Sequence, residues 1–152
     1  MSEVGRDTAA AEERERTMRS WQTSWEAETR GRWTARLIPD VRVWTERRHG
    51  EVGYYMTQFL SGHGYFRGYL HKMGKAASPN CLYCPGATDT AEHTFFACVR
   101  WHQRRASLLA EFGSFDPDSI VGAMLQGEDT WNVVARYAEA VLKAKKADLD
   151  RQ

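Results

Sequence analysis

The stretch CLYCPGATDTAEHTFFAC, residues 81–98, contains all three cysteines of the chain and one of its five histidines. Cys81, Cys84, His93 and Cys98 are spaced C-x2-C-x8-H-x4-C. A structural zinc ion takes four Cys or His ligands in a tetrahedron, and a C-x2-C pair delivers two of them from one tight turn. Pro85 and Gly86 follow the pair, where the chain must change direction. Asp89 or Thr90 can then cap a helix whose first turn carries Glu92 and His93. On an ideal helix His93 and Cys98 point about 140° apart. Sharing one ion therefore requires that helix to begin late or loosen before Cys98.

The same residues admit other readings. A thioredoxin-like redox pair would want its C-x-x-C after a strand, and the flanks here read as helix and loop. Buried, inert cysteines are common in cores. Zinc deaminases place H-x-E before P-C-x-x-C, the reverse of the order found here, and four protein ligands leave no open position for water. A closed structural site fits the spacing best.

Outward from this insert the pattern is helical. Met18, Trp21 and Trp25 share one face of a segment running from about Ala9 to Glu28, with residues 1–8 a loose leader. Pro39 after an extended Ile38 suits a new helix start, with Val41, Trp44 and Arg48 on one face and Gly50 as its stop. Tyr55, Phe59 and Leu60 suggest a third helix, broken at Ser61-Gly62-His63-Gly64 and resumed through Phe66, Tyr69, Leu70 and Met73. Leu108, Leu109 and Phe112 make one side of a helix from Trp101, and Asp116 can cap a short one from Pro117 to Leu125. Trp131, Val134, Tyr137, Ala138 and Val141 mark a last amphipathic helix that runs into the charged tail KAKKADLDRQ. No alternating strand pattern appears. The expected fold is all-α, a small helical domain with one zinc-stabilised loop insert, organised as a flexible or helical leader (1–18), a helical basic region (19–78), the knuckle (79–100) and C-terminal helices (101–152).

Net charge is only +1, but it is unevenly spread. From Arg30 to Lys75 nine Lys or Arg residues face three acids, whereas Glu111 to Thr130 holds five acids and no base. Arg32, Arg36, Arg47, Arg48, Arg67, Lys72 and Lys75 are candidate phosphate contacts, interleaved with Trp33 and Trp44, which suit the core better than a stacking surface. His63 suits a hydrogen-bonding role between two helices better than a nucleic-acid contact. Lys72, Lys75 and Arg100 lie near enough in sequence to offset the −1 charge of a zinc ion with three thiolates. No stretch has the roughly 18–20 apolar residues of a membrane helix, and the N-terminus lacks the apolar core of a signal peptide. An intracellular, unsecreted protein is expected, with its cysteines as thiols or metal ligands.

Four segments carry a resemblance. GRWTARLIPDV (31–41), TQFLSGHGYFRGYLHK (57–72), SPNCLYC (78–84) and DTAEHTFFACVRW (89–101) resemble the C-terminal region of the polyprotein of insect-type non-long-terminal-repeat retrotransposons. In that family the region follows the reverse transcriptase domain and ends in a Cys-Cys-His-Cys zinc knuckle, and the likeness runs from about Arg19 to Leu142. It implies zinc on Cys81, Cys84, His93 and Cys98, and RNA or DNA and the polymerase domain as partners. It also implies nuclear localisation, or cytoplasmic before nuclear entry, and a role in target-primed reverse transcription. The spacing departs from the retroviral C-x2-C-x4-H-x4-C. No Asp-Asp polymerase motif is present, so this chain carries no polymerase centre. Two alternatives accompany this reading: an endonuclease region, for which Asp116, Asp118, Glu128 and Asp129 are the only dense acids, or a structural domain packing on the polymerase.

Overall fold

The chain is described here over residues 3–151 by a computed structural model. Nine α-helices and one 3-10 turn form these residues, and no β-strand occurs among them. Helix α1 spans Glu3–Ala27, so residues 3–8 are helical rather than loose; Met1 and Ser2 lie outside the described residues. It buries no residue and rests on α3 (Val41–Thr45). Of the expected stripe Trp25 engages most firmly, its indole donating to the Ile38 carbonyl at 2.7 Å, while Trp21 is 52 % exposed.

The core forms where α9 (Glu128–Asp150) lies along α8 (Ile120–Leu125), α4 (Tyr54–Ser61) and α7 (His102–Phe112). Trp131, Val134, Tyr137, Ala138 and Val141 all point inward from α9, as the 3.6-residue period requires. They meet Phe59, Phe66, Phe95, Trp101 and Met124, each fully or nearly fully buried. Helix α2 (Arg32–Leu37) packs on α4. Its Trp33 is half-buried and donates to the Phe59 carbonyl at 3.0 Å, while Trp44 is half-buried against Trp131.

Three expectations are corrected by packing. Asp40, not Pro39, opens α3, because its carboxylate accepts from the Arg42 and Val43 amides. Leu109 is half exposed; only Leu108 of that pair turns inward. Gly50 does not stop a helix, since α3 ends at Thr45. Instead Gly50 has φ +99° and lies under Trp131, where an added Cβ would come within 2.6 Å of the ring. Gly50→Ala is therefore expected to cost about 2–4 kcal/mol, from overpacking plus left-handed strain. Denaturant unfolding measures this, and a loss under about 0.5 kcal/mol, the usual range for a neutral surface change, contradicts it.

Candidate metal centre

The insert leaves α5 (Arg67–Lys72) and returns on itself, pairing Asn80 with Thr88 in a single antiparallel bridge. Within it the Cys81 amide donates to the Ala87 carbonyl at 2.9 Å and the Ala87 amide to Cys84 at 3.2 Å, closing the turn that carries both cysteines. Gly86 has φ +84°, a left-handed conformation that a side chain would strain. Thr90 then caps α6 (Ala91–Phe96) by accepting from the His93 amide at 3.1 Å. Helix α6 stops at Phe96, and Cys98 is extended at φ −62°, ψ 131°. Its amide still reaches the His93 carbonyl at 2.7 Å. The angular conflict between His93 and Cys98 is thus removed by ending the helix two residues early.

One ligand atom from each of Cys81, Cys84, His93 and Cys98 lies within 4.8 Å of all the others. The Cys98 sulfur stands 3.8 Å from those of both Cys81 and Cys84, far beyond a disulfide, and all three cysteines are free. Metal–sulfur bonds of ~2.3 Å in a tetrahedron give sulfur–sulfur edges of ~3.8 Å. The donor set therefore fits a tetrahedral ion. His93 Nε2 is buried with no hydrogen-bond partner. A buried polar atom left without a partner is costly, and coordination would satisfy it.

The electrostatics agree with a ligand role. Burial lowers the His93 pKa, so its imidazole is neutral, the form that binds metal. Burial pushes the Cys98 thiol up to about 12; a bound cation reverses this, because a coordinated thiol is deprotonated. The Tyr83 and Val99 amides donate to the Cys81 and Cys84 sulfurs at 3.4 and 3.5 Å, which favours thiolates.

Around the four ligands lies a shell that the sequence pattern did not single out. Asp89 is buried and does not cap α6. Its carboxylate accepts from the Arg67 amide at 2.8 Å, the Thr94 hydroxyl at 3.0 Å and the Lys145 ammonium. Lys145 is itself buried, and burial lowers its pKa while the Asp89 carboxylate opposes that shift. Lys72 and Lys75, by contrast, are exposed, and Arg100 lies over Trp101 with Asp148 at 3.6 Å. Arg105 donates to the Cys98 carbonyl at 2.7 Å. The Tyr83 hydroxyl bonds to Asp148, and burial together with that carboxylate raises its pKa. Lys145 was findable: it falls four residues after Val141 and continues the inward stripe of α9.

The seven candidate phosphate contacts occupy different settings. Arg36 bridges Glu92 and Asp118, and Arg47 lies 4.1 Å over Trp44 while donating to its carbonyl. Arg32 and Arg67 donate to the Trp25 and Asn80 carbonyls at 2.8 and 2.7 Å. Arg48, Lys72 and Lys75 are exposed.

No helix among the described residues is long and apolar enough to cross a membrane. No protein-family model matches the chain, and no solved structure matches it. Three curated proteins do. The Retrovirus-related Pol polyprotein from type-1 retrotransposable element R1 of Bradysia coprophila is 32% identical over 106 residues, covering 67% of this chain and 10% of that protein. That of element R1 2 from Nasonia vitripennis is 33% identical over 91 residues, covering 60% of this chain and 22% of the relative. That of R1 4, also from Nasonia vitripennis, is 24% identical over 128 residues, covering 83% of this chain and 32% of the relative. The chain thus matches between a tenth and a third of the length of these relatives. All three agree with the relationship implied by the motifs around the cysteines: this chain is similar to a region of the retrotransposon Pol polyprotein.

Proposed function

We propose that the chain is a zinc-knuckle, nucleic-acid-binding segment of a retrotransposon reverse transcriptase polyprotein, acting beside the polymerase domain in target-primed reverse transcription. The observation that carries this reading is the tetrahedral fit of Cys81, Cys84, His93 and Cys98, in a chain similar to Pol polyproteins. Zinc here is structural: it fixes the insert against α6 and α9 and supplies no open coordination position. Exposed Arg48, Lys72 and Lys75 support phosphate binding, since cations that enter no ion pair among the described residues remain available to RNA or DNA.

The endonuclease alternative needs acids gathered about a shared divalent ion. Asp116 is engaged as the cap of the turn into α8, accepting from the Asp118 and Ser119 amides, and Asp118 pairs with Arg36. Those roles favour the binding reading. So does the closed ligand set.

The test is a zinc determination on the purified chain followed by binding to RNA, single-stranded DNA and duplex DNA across a salt series. One zinc per chain is expected. The logarithm of affinity should fall linearly with that of salt, with a slope of about −0.7 per phosphate neutralised on single strands. Binding that ignores salt, or no binding to any of the three, refutes the nucleic-acid reading.

A further inference from the structure

The segment Ser61-Gly62-His63-Gly64, a mere break between helices in the sequence, builds a surface feature. Gly62 ends α4 with φ +73°, and a Cβ there would press on Trp33 at 3.3 Å. Gly64, at φ +156°, has no room for a Cβ, which would fall 2.1 Å from Gln58 Oε1. The two glycines let the chain hug α4 and leave His63 projecting. His63 is exposed and stacks on Tyr69 of α5, with ring centroids 4.6 Å apart and planes 13° from parallel. Among the described residues its imidazole makes no hydrogen bond, so it does not tie the two helices together in that way.

This stack lines a groove of about 450 Å³, a volume within the range of small-ligand clefts. Arg32, Trp33, Lys72 and Glu92 line it too. Glu92 is paired with Arg36, whereas Lys72 enters no ion pair among the described residues. The groove thus offers flat rings beside unneutralised positive charge. That combination matches a base and its neighbouring phosphate.

We infer that the groove between α2 and α5 binds an unpaired nucleotide of a single-stranded nucleic acid. The base extends the His63–Tyr69 stack, and Lys72 with Arg32 takes the adjoining phosphate. This rests on the nucleic-acid reading above and adds to it a place and a preference for unpaired bases. Stacking tolerates any base, so the groove selects strandedness and not sequence. None of Cys81, Cys84, His93 and Cys98 lines it.

The test uses the zinc-loaded full chain with labelled oligouridylate, oligothymidylate, an abasic strand of the same phosphate count, and a duplex. Single strands are expected to bind more tightly than the duplex, and the RNA and DNA arms reveal which backbone the site accepts. His63→Ala and removal of the bases should each weaken binding by roughly 5- to 100-fold, without adding to one another. His63→Trp should restore the affinity, and Lys72→Glu should shallow the salt slope by about one. Both side chains are exposed, so these variants should melt like the parent. If the parent binds strands but His63→Ala and the abasic strand bind equally well, the groove assignment falls and the general binding role survives. If no oligonucleotide binds, both fall. Loss of polymerase-domain binding in His63→Ala, with oligonucleotide binding intact, makes the groove a protein contact and overturns the inference.

Discussion

Removing zinc with a strong chelator is expected to unfold the chain at room temperature. Metal binding to Cys and His ligands contributes on the order of 10 kcal/mol to a structural site, comparable with the ~5–15 kcal/mol that is the whole net stability of a domain. The site is not peripheral here. Two residues after His93, Phe95 is fully buried, with its ring 4.6 Å from Phe59, 5.9 Å from Phe66 and 6.0 Å from Tyr137. Three residues after Cys98, Trp101 is also buried, against Tyr83. Releasing the ligands frees both ends of α6, and those aromatic anchors leave with it. At about 2–4 °C per kcal/mol for a chain of this size, a loss of that order lowers the melting temperature by tens of degrees. Circular dichroism melts of zinc-loaded and fully stripped protein make the comparison, with metal content measured on both. Identical melts after complete zinc removal would falsify the structural role. Cys84→Ser should reproduce part of the loss, because a hydroxyl of similar size is a poor ligand for zinc.

The clustering of Cys81, Cys84, His93 and Cys98 was legible because spacing alone constrains it: a C-x2-C turn, a capped helix start and two further donors. What spacing could not supply was where α6 ends. That depends on Arg105 and the His93 carbonyl capturing the chain at Cys98, contacts seven residues downstream and five upstream of it. The long helix α9 was visible from its apolar period, which places Lys145 on the inward stripe, but its buried acidic partner, Asp89, was not visible, so it read as part of a charged tail. Gly50 illustrates a different limit. A glycine after a polar helix reads as a stop signal, and nothing local reveals that Trp131, far along the chain, occupies the space where its side chain would go. Trp21 and Leu109 show the converse: a residue can follow a helical period and still face solvent, because no neighbouring element covers that side.

Asp89→Ala is expected to cost about 3–5 kcal/mol, the usual penalty for leaving one member of a buried ion pair alone. Lys145 would remain buried, 5.5 Å over the Phe66 ring, without its counter-ion. The Arg67 amide and Thr94 hydroxyl would also lose their acceptor. Lys145→Met should be milder, because the methionine keeps the apolar stem's packing and Asp89 retains those two donors. In the double variant the losses should fall short of additive, by about 0.5–3 kcal/mol, as they do for groups in direct contact. Denaturant unfolding of the zinc-loaded proteins at fixed metal concentration gives all three values. The pair does more than neutralise charge, since Asp89 joins α5, α6 and α9 through three donors while its own amide holds Pro79 at the start of the insert at 2.9 Å. An Asp89→Ala protein within about 1 kcal/mol of the parent, or strictly additive single losses, would mean that the metal and the aromatic core orient these helices without it.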